Sequence, residues 1–122
     1  MNTELRDMHM KSIEDPAAVS MYEMLCDACE GRDGGMTDPD QMLIADAARL
    51  EQTKQILIED IKVRGIGQER KNGSQRYYQE NKSIASLRGV MEQQRKLLSE
   101  LRLTPNSRKA DVVAVNDEFS EF

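Results

Sequence analysis

Apolar residues recur at helical spacing along most of this chain. From 84 to 101, Ile84, Leu87, Met91, Gln94, Leu98 and Leu101 step by three or four, and Val90 and Leu97 widen the stripe. The opposite flank holds Lys82, Arg88, Glu92, Arg95, Lys96, Glu100 and Arg102, mostly good helix formers. The residue before a proline avoids the helical region, so this helix is predicted to end near Arg102 or Leu103, ahead of Pro105. Thr104 then caps a short new turn with Pro105 at its first position. A second stripe runs through Leu43, Ala47, Leu50, Lys54, Leu57 and Ile61, thickened by Ile44, Ala48, Ile56 and Ile58. Its helix starts with Asp38 as cap, Pro39 at the first position and Gln41 in capping-box spacing, and it runs to 62–64 before Gly65. Ala45, Ala47 and Ala48 would let another helix come close, and Lys54 is expected to run its stem along the seam with its charge outward. A shorter helix over about 16–30 opens on Asp15 and Pro16, sets Val19, Tyr22, Leu25, Ala28 and Cys29 on one side, and stops in a Gly-rich turn at 31–35.

The period changes over 65–78. Asn72-Gly73 is a strong two-residue hairpin signal, so this stretch is a short β-hairpin or an ordered loop, with strands too short to stand alone. Residues 1–15 are unpatterned and read as a flexible arm. Residues 111–122 have no helical stripe and no basic residue. The predicted fold is therefore mainly α: two long helices with a small β-hairpin or an ordered loop between them, in a helical domain over 16–110, followed by an acidic tail over 111–122. Gln94 is a polar residue in an apolar seam. It either controls register in a helical oligomer or faces a wet gap.

Two Phe, three Tyr and no Trp leave the core to Leu, Ile, Met, Val and Ala. A chain of 122 residues with this much stripe and 32% charged residues would leave seams uncovered as a monomer, so a homo-oligomer is expected. No apolar run approaches the roughly 18 residues of a membrane span, and no basic, then hydrophobic leader opens the chain, which points to no membrane partner and to the cytoplasm.

Net charge is −5, but it is unevenly spread. Residues 1–61 carry 5 Lys/Arg against 14 Asp/Glu, residues 62–109 carry 12 against 4, and residues 110–122 carry none against 4. An acidic, basic, acidic chain offers its middle to a polyanion. Alternatively the basic segment neutralises the acidic one, within the fold or across subunits. Lys62, Arg64, Arg70, Lys71, Arg76, Lys82 and Arg88 are the candidate DNA contacts, chosen by charge, with Tyr77 and Tyr78 beside them. Those tyrosines read equally well as core-facing residues of a solvated turn. In the tail, Asp117, Glu118, Phe119 and Phe122 form a candidate docking peptide, set against an ordinary frayed terminus.

Catalytic signatures are missing. No P-loop, GxSxG or HExxH occurs, and the single histidine, His9, leaves no Ser-His or Cys-His set. Cys26 and Cys29 have C-x-x-C spacing, but zinc needs about four ligands and a thioredoxin-like site needs a βαβ context. Two reduced thiols are expected, one in the helix face and one near its edge. No metal, cofactor or enzymatic activity is predicted.

The segment MEQQRKLLSEL followed by RLTPNSRK, behind the tyrosine-bearing stretch QRYYQ, resembles the small subunit of phage terminases, in the branch that ends in Leu-Thr-Pro-x-Ser-Arg. The likeness is strongest over 75–110, is compatible over 21–65, and does not reach the first fifteen residues. It implies subunits that assemble through their helices into a ring, bind double-stranded viral DNA near the packaging start, and pass it to a large ATPase-nuclease subunit in the host cytoplasm. Arg108 and Lys109 match the terminal motif, where they would fix the corner. The acidic N-terminal third offers no helix-turn-helix with base-reading residues, so recognition by shape or by many subunits together is expected. The competing reading is a helical oligomeric adaptor that binds only protein, and a third is an enzyme using the two cysteines.

Overall fold

A computed structural model describes residues 1–105. Its elements, in chain order, are α1 (Thr3–His9), α2 (Pro16–Glu30), α3 (Asp38–Arg64), β1 (Gly67–Asn72), β2 (Gln75–Glu80) and α4 (Ser83–Glu100). The long helix α3 is the spine: α1, α2 and α4 all pack on it, and α4 runs back antiparallel along it after the β-hairpin. The fold is mainly helical with one small two-stranded antiparallel sheet, as the spacing predicts.

The core fills the space between α2 and the N-terminal half of α3 and is closed by the end of α4. Ala18, Tyr22, Leu25, Cys26 and Cys29 come from α2, Ile44, Ala45, Ala47 and Ala48 from α3, and Leu101 follows α4. The three alanines are fully buried, which is why two helices can approach α3 on its two sides. Ala28, expected inward, is exposed, while Ala18 and Cys26 take the buried positions. Both cysteines are buried, neither at an edge. Burial pushes the Cys26 thiol up to about 11, helped by the neighbouring Cys29, and raises Cys29 as well.

Helix ends follow local chemistry. Thr37, not Asp38, caps α3: its Oγ1 accepts from Asp40 N–H at 3.3 Å, and Asp40 Oδ2 accepts from Thr37 N–H at 3.0 Å. The box is thus shifted by one residue from the predicted one. Asp15 caps α2 as predicted. At its C-terminus α4 closes with Leu103 N–H on Leu98 C=O and Arg102 N–H on Ser99 C=O, both 2.9 Å. Arg102 sits at φ 58° in the left-handed region where glycine is usual. At Pro105 the backbone is helical again.

Residues 1–15 hold more structure than a flexible arm. Asn2 caps α1, and its backbone N–H and C=O both engage the buried Gln41 amide of α3, at 3.0 and 2.9 Å. Gln41 also donates to Tyr22 Oη at 2.9 Å, and that hydroxyl shares a hydrogen bond of 2.7 Å with His9 Nδ1. That network joins α1, α2 and α3 through side chains spaced too irregularly to show as a stripe. Burial, then the nearby Arg49 charge, lowers the His9 pKa and so disfavours the charged ring.

Gln94 serves neither of the roles expected of it. Buried against α3, it donates to Ala47 C=O at 3.1 Å and to Glu51 Oε2 at 2.9 Å, and accepts from Lys54 Nζ at 3.3 Å. Lys54 turns inward to Glu51 at 3.1 Å instead of reaching outward. Burial alone would raise the Glu51 pKa, but hydrogen bonds from Gln94, Gln55 and Lys54 outweigh it and hold the carboxylate below its ordinary value. The seam therefore carries a satisfied polar clasp that fixes the register of α4 on α3.

Candidate nucleic-acid interface

The hairpin exists because α3 is stopped and its neighbour restarted within a few residues. Gly65, at φ 75°, takes a conformation that a side chain would resist, and the chain leaves the helix axis there. Gly73, at φ 65°, is the first of the two central turn residues and Ser74 the second, since Asn72 pairs with Gln75. The turn is thus one residue later than Asn72-Gly73, and positive φ at its first central position alone suits a II′ geometry.

Neither strand has an apolar face, so packing does not hold the ribbon. A polar clamp at its base does. Asp60 takes two charged hydrogen bonds from Arg64, both 2.7 Å, and one from Ser83 Oγ at 2.6 Å. Asn81 is buried among them: it donates to Gly65 C=O at 2.9 Å and Asp60 Oδ2 at 3.3 Å, and accepts from Ser83 N–H at 3.0 Å and Arg64 at 3.2 Å. Its own N–H reaches Ile66 C=O at 2.9 Å. Hydrogen bonds from Arg64 and then Ser83 hold the Asp60 carboxyl well below the usual range, so the clamp stays charged at neutral pH. The last turn of α3, both ends of the ribbon and the first turn of α4 are fastened at one point.

The register sorts the side chains onto two faces, because residues paired across strands point the same way. Gln79 pairs with Gln68, Tyr77 with Arg70 and Gln75 with Asn72, and these six residues share one face. Gly67, Glu69, Lys71, Arg76, Tyr78 and Glu80 share the other. Every residue from 68 to 80 is exposed, so Tyr77 and Tyr78 do not turn to the core. Tyr78 lies over Gly67, where a Cβ would run into its ring.

The seven candidate cations divide accordingly. Arg70 with Arg64 and Lys82 lines a concavity of about 330 Å³ at the ribbon base, together with Gly67, Gln68, Gln79, Glu80 and Asn81. Lys71 and Arg76 sit directly opposite each other on the other face, a like-charge pair that costs stability in the free protein. Lys62 and Arg88 are exposed on their helices, outside that concavity. Among the described residues only Arg64 of the seven is spent on a carboxylate, Asp60. Among the described residues, the other six of these cations are therefore not paired with the acidic segment within this subunit. Sequence reasoning missed Gln68, Asn72, Gln75 and Gln79, although alternation through Gln68, Arg70, Asn72 and through Gln75, Tyr77, Gln79 is visible once the turn is placed.

Arg108, Lys109, Asp117, Glu118, Phe119 and Phe122 lie outside the described residues. No group of His, Cys, Asp and Glu among the described residues is arranged to hold a metal, and no described helix is long and apolar enough to cross a membrane. In comparisons with known proteins, a family model described as phage terminase, small subunit, matches residues 18–118. No curated protein and no solved structure matches the chain.

Proposed function

The chain belongs to the phage terminase small-subunit family, which serves phage DNA packaging and is generally non-catalytic, and on that footing we propose a DNA-recognising, regulatory role for it. Subunits self-associate, bind double-stranded viral DNA through the ribbon and its basic surroundings, and recruit the large ATPase-nuclease subunit in the host cytoplasm. The observation that carries this reading is the exposed ribbon whose Arg70, Lys71 and Arg76 have no carboxylate partner among the described residues, beside Lys82. Releasing counterions from a phosphate backbone requires such uncommitted cations. Self-association is supported by Ile56, Val63 and Ile66, which are 68%, 76% and 67% exposed at the C-terminal end of α3 and beyond it. We propose that a neighbouring copy covers this strip and that the copies close into a ring. The acidic tail, with Asp117, Glu118, Phe119 and Phe122, is proposed to dock on the large subunit.

Light scattering on the eluting full chain, followed by retention of a 40-bp duplex at about 50 and 200 mM salt, tests the reading. An oligomer that retards the duplex, far less so at the higher salt, supports it. A monomer or dimer indifferent to duplex at the lower salt favours the protein-only adaptor. Removing residues 111–122 should leave duplex retention intact and abolish co-purification with the large subunit.

A further inference from the structure

We propose that the ribbon face bearing Arg70 reads base edges in the major groove, which makes the hairpin a sequence-specificity element; the inference rests on the DNA-binding reading above. The face presents Gln68, Arg70, Asn72, Gln75, Tyr77 and Gln79. Arginine pairs with guanine O6 and N7, and asparagine or glutamine with adenine N6 and N7, so this is the chemistry of direct readout. The face carries no carboxylate, whereas Glu69 and Glu80 lie on the other. None of its six side chains makes a hydrogen bond or ion pair among the described residues, so their donors and acceptors are available.

Dimensions agree. Six-residue strands span about 20 Å, two strands lie about 5 Å apart, and a B-form major groove about 12 Å wide accepts such a ribbon. The concavity at its base adjoins this face and is lined by Glu80 as well as by Lys82, so Lys82 flanks the ribbon where the phosphates bordering the groove would pass, while Arg64 beside it is held by Asp60. The buried clamp at Asn81 fixes the ribbon's direction, which base readout needs and simple charge attraction does not. Lys71 and Arg76, on the opposite face, serve the backbone and not the bases.

The test is selection from a duplex pool with a randomised 20-bp core, using the full chain and two variants. The wild type should enrich a motif containing guanine. Arg70→Ala should lower preference at that guanine by roughly ten- to a hundredfold, the scale of one bidentate contact. Lys71→Ala with Arg76→Ala should weaken retention of all sequences while enriching the same motif. On the enriched duplex, wild type should protect guanine N7 from dimethyl sulfate and Arg70→Ala should not. Retention without any motif, a motif unchanged by Arg70→Ala, protection at adenine N3 of the minor groove, or a preference for single strands would overturn the inference while leaving DNA binding standing. No retention by wild type would overturn both.

Discussion

Asn81→Ala should loosen the ribbon without unfolding the domain. Its side chain, 8% exposed, makes four hydrogen bonds. Those to Gly65 C=O and from Ser83 N–H, at 2.9 and 3.0 Å, have good geometry and contribute about 1 kcal/mol each. Those involving Arg64 and Asp60, at 3.2 and 3.3 Å, are longer, and both charges can be hydrated after truncation; together they add about 0.5–1 kcal/mol. The loss is therefore roughly 2–3 kcal/mol, and it falls on a ribbon that shares no apolar core with α2 and α3. Native-state hydrogen exchange of the β1 and β2 amides should accelerate roughly 30- to 150-fold, while the urea unfolding free energy changes by less than about 1 kcal/mol. Asn81→Asp keeps both acceptor roles but loses both donors and sets a second carboxylate beside Asp60, so at pH 7 it should cost at least as much. Ribbon amides that exchange at the wild-type rate in both variants would refute the clamp.

Gln94→Leu should destabilise the whole domain by about 2–4 kcal/mol in urea, because Glu51 loses a charged hydrogen bond in a buried seam, and adding Glu51→Leu should recover part of the loss. The His9 pKa is lowered on folding, so its contribution is full above the ordinary value of 6.5 and is lost as pH falls through 6.5 toward the folded value. Urea titrations should show stability dropping between pH 7.5 and 5.5 by up to about 1 kcal/mol per unit, with a flatter profile in His9→Gln. Ellman's reagent at pH 8 should leave the native thiols unmodified, since both are buried and raised, and labelling should follow the unfolding curve; fast labelling would contradict their place in the core.

The helices were legible because their signals are periodic and local: the stripes over 43–61 and 84–101, Asp15 with Pro16, and Gly65 as a stop. Cap identity was less so. Thr37 and Asp38 are both good caps, and only the observed bonds to Asp40 decide between them. What remained hidden was polar and long-range. Gln41, Gln94 and Asn81 each satisfy partners on other elements, and a glutamine or asparagine in a sequence carries no mark of what it will bond. For the same reason α1 read as a loose arm, since a tyrosine and a glutamine from other helices hold it. Charge counting located the basic region but could not say that Arg70 faces away from Lys71 and Arg76; alternation along β1 separates Arg70 from Lys71, and the observed pairing sets Arg76 beside Lys71.

The salt dependence of duplex affinity tests the central claim most directly. Each phosphate contact contributes about 0.9 to the slope of log K against log salt. Wild type should give a steep negative slope, and Lys71→Ala with Arg76→Ala should make it shallower by about 2 for each engaged ribbon. A slope near zero in the wild type, or one unchanged in the double variant, would contradict a ribbon that grips the phosphate backbone.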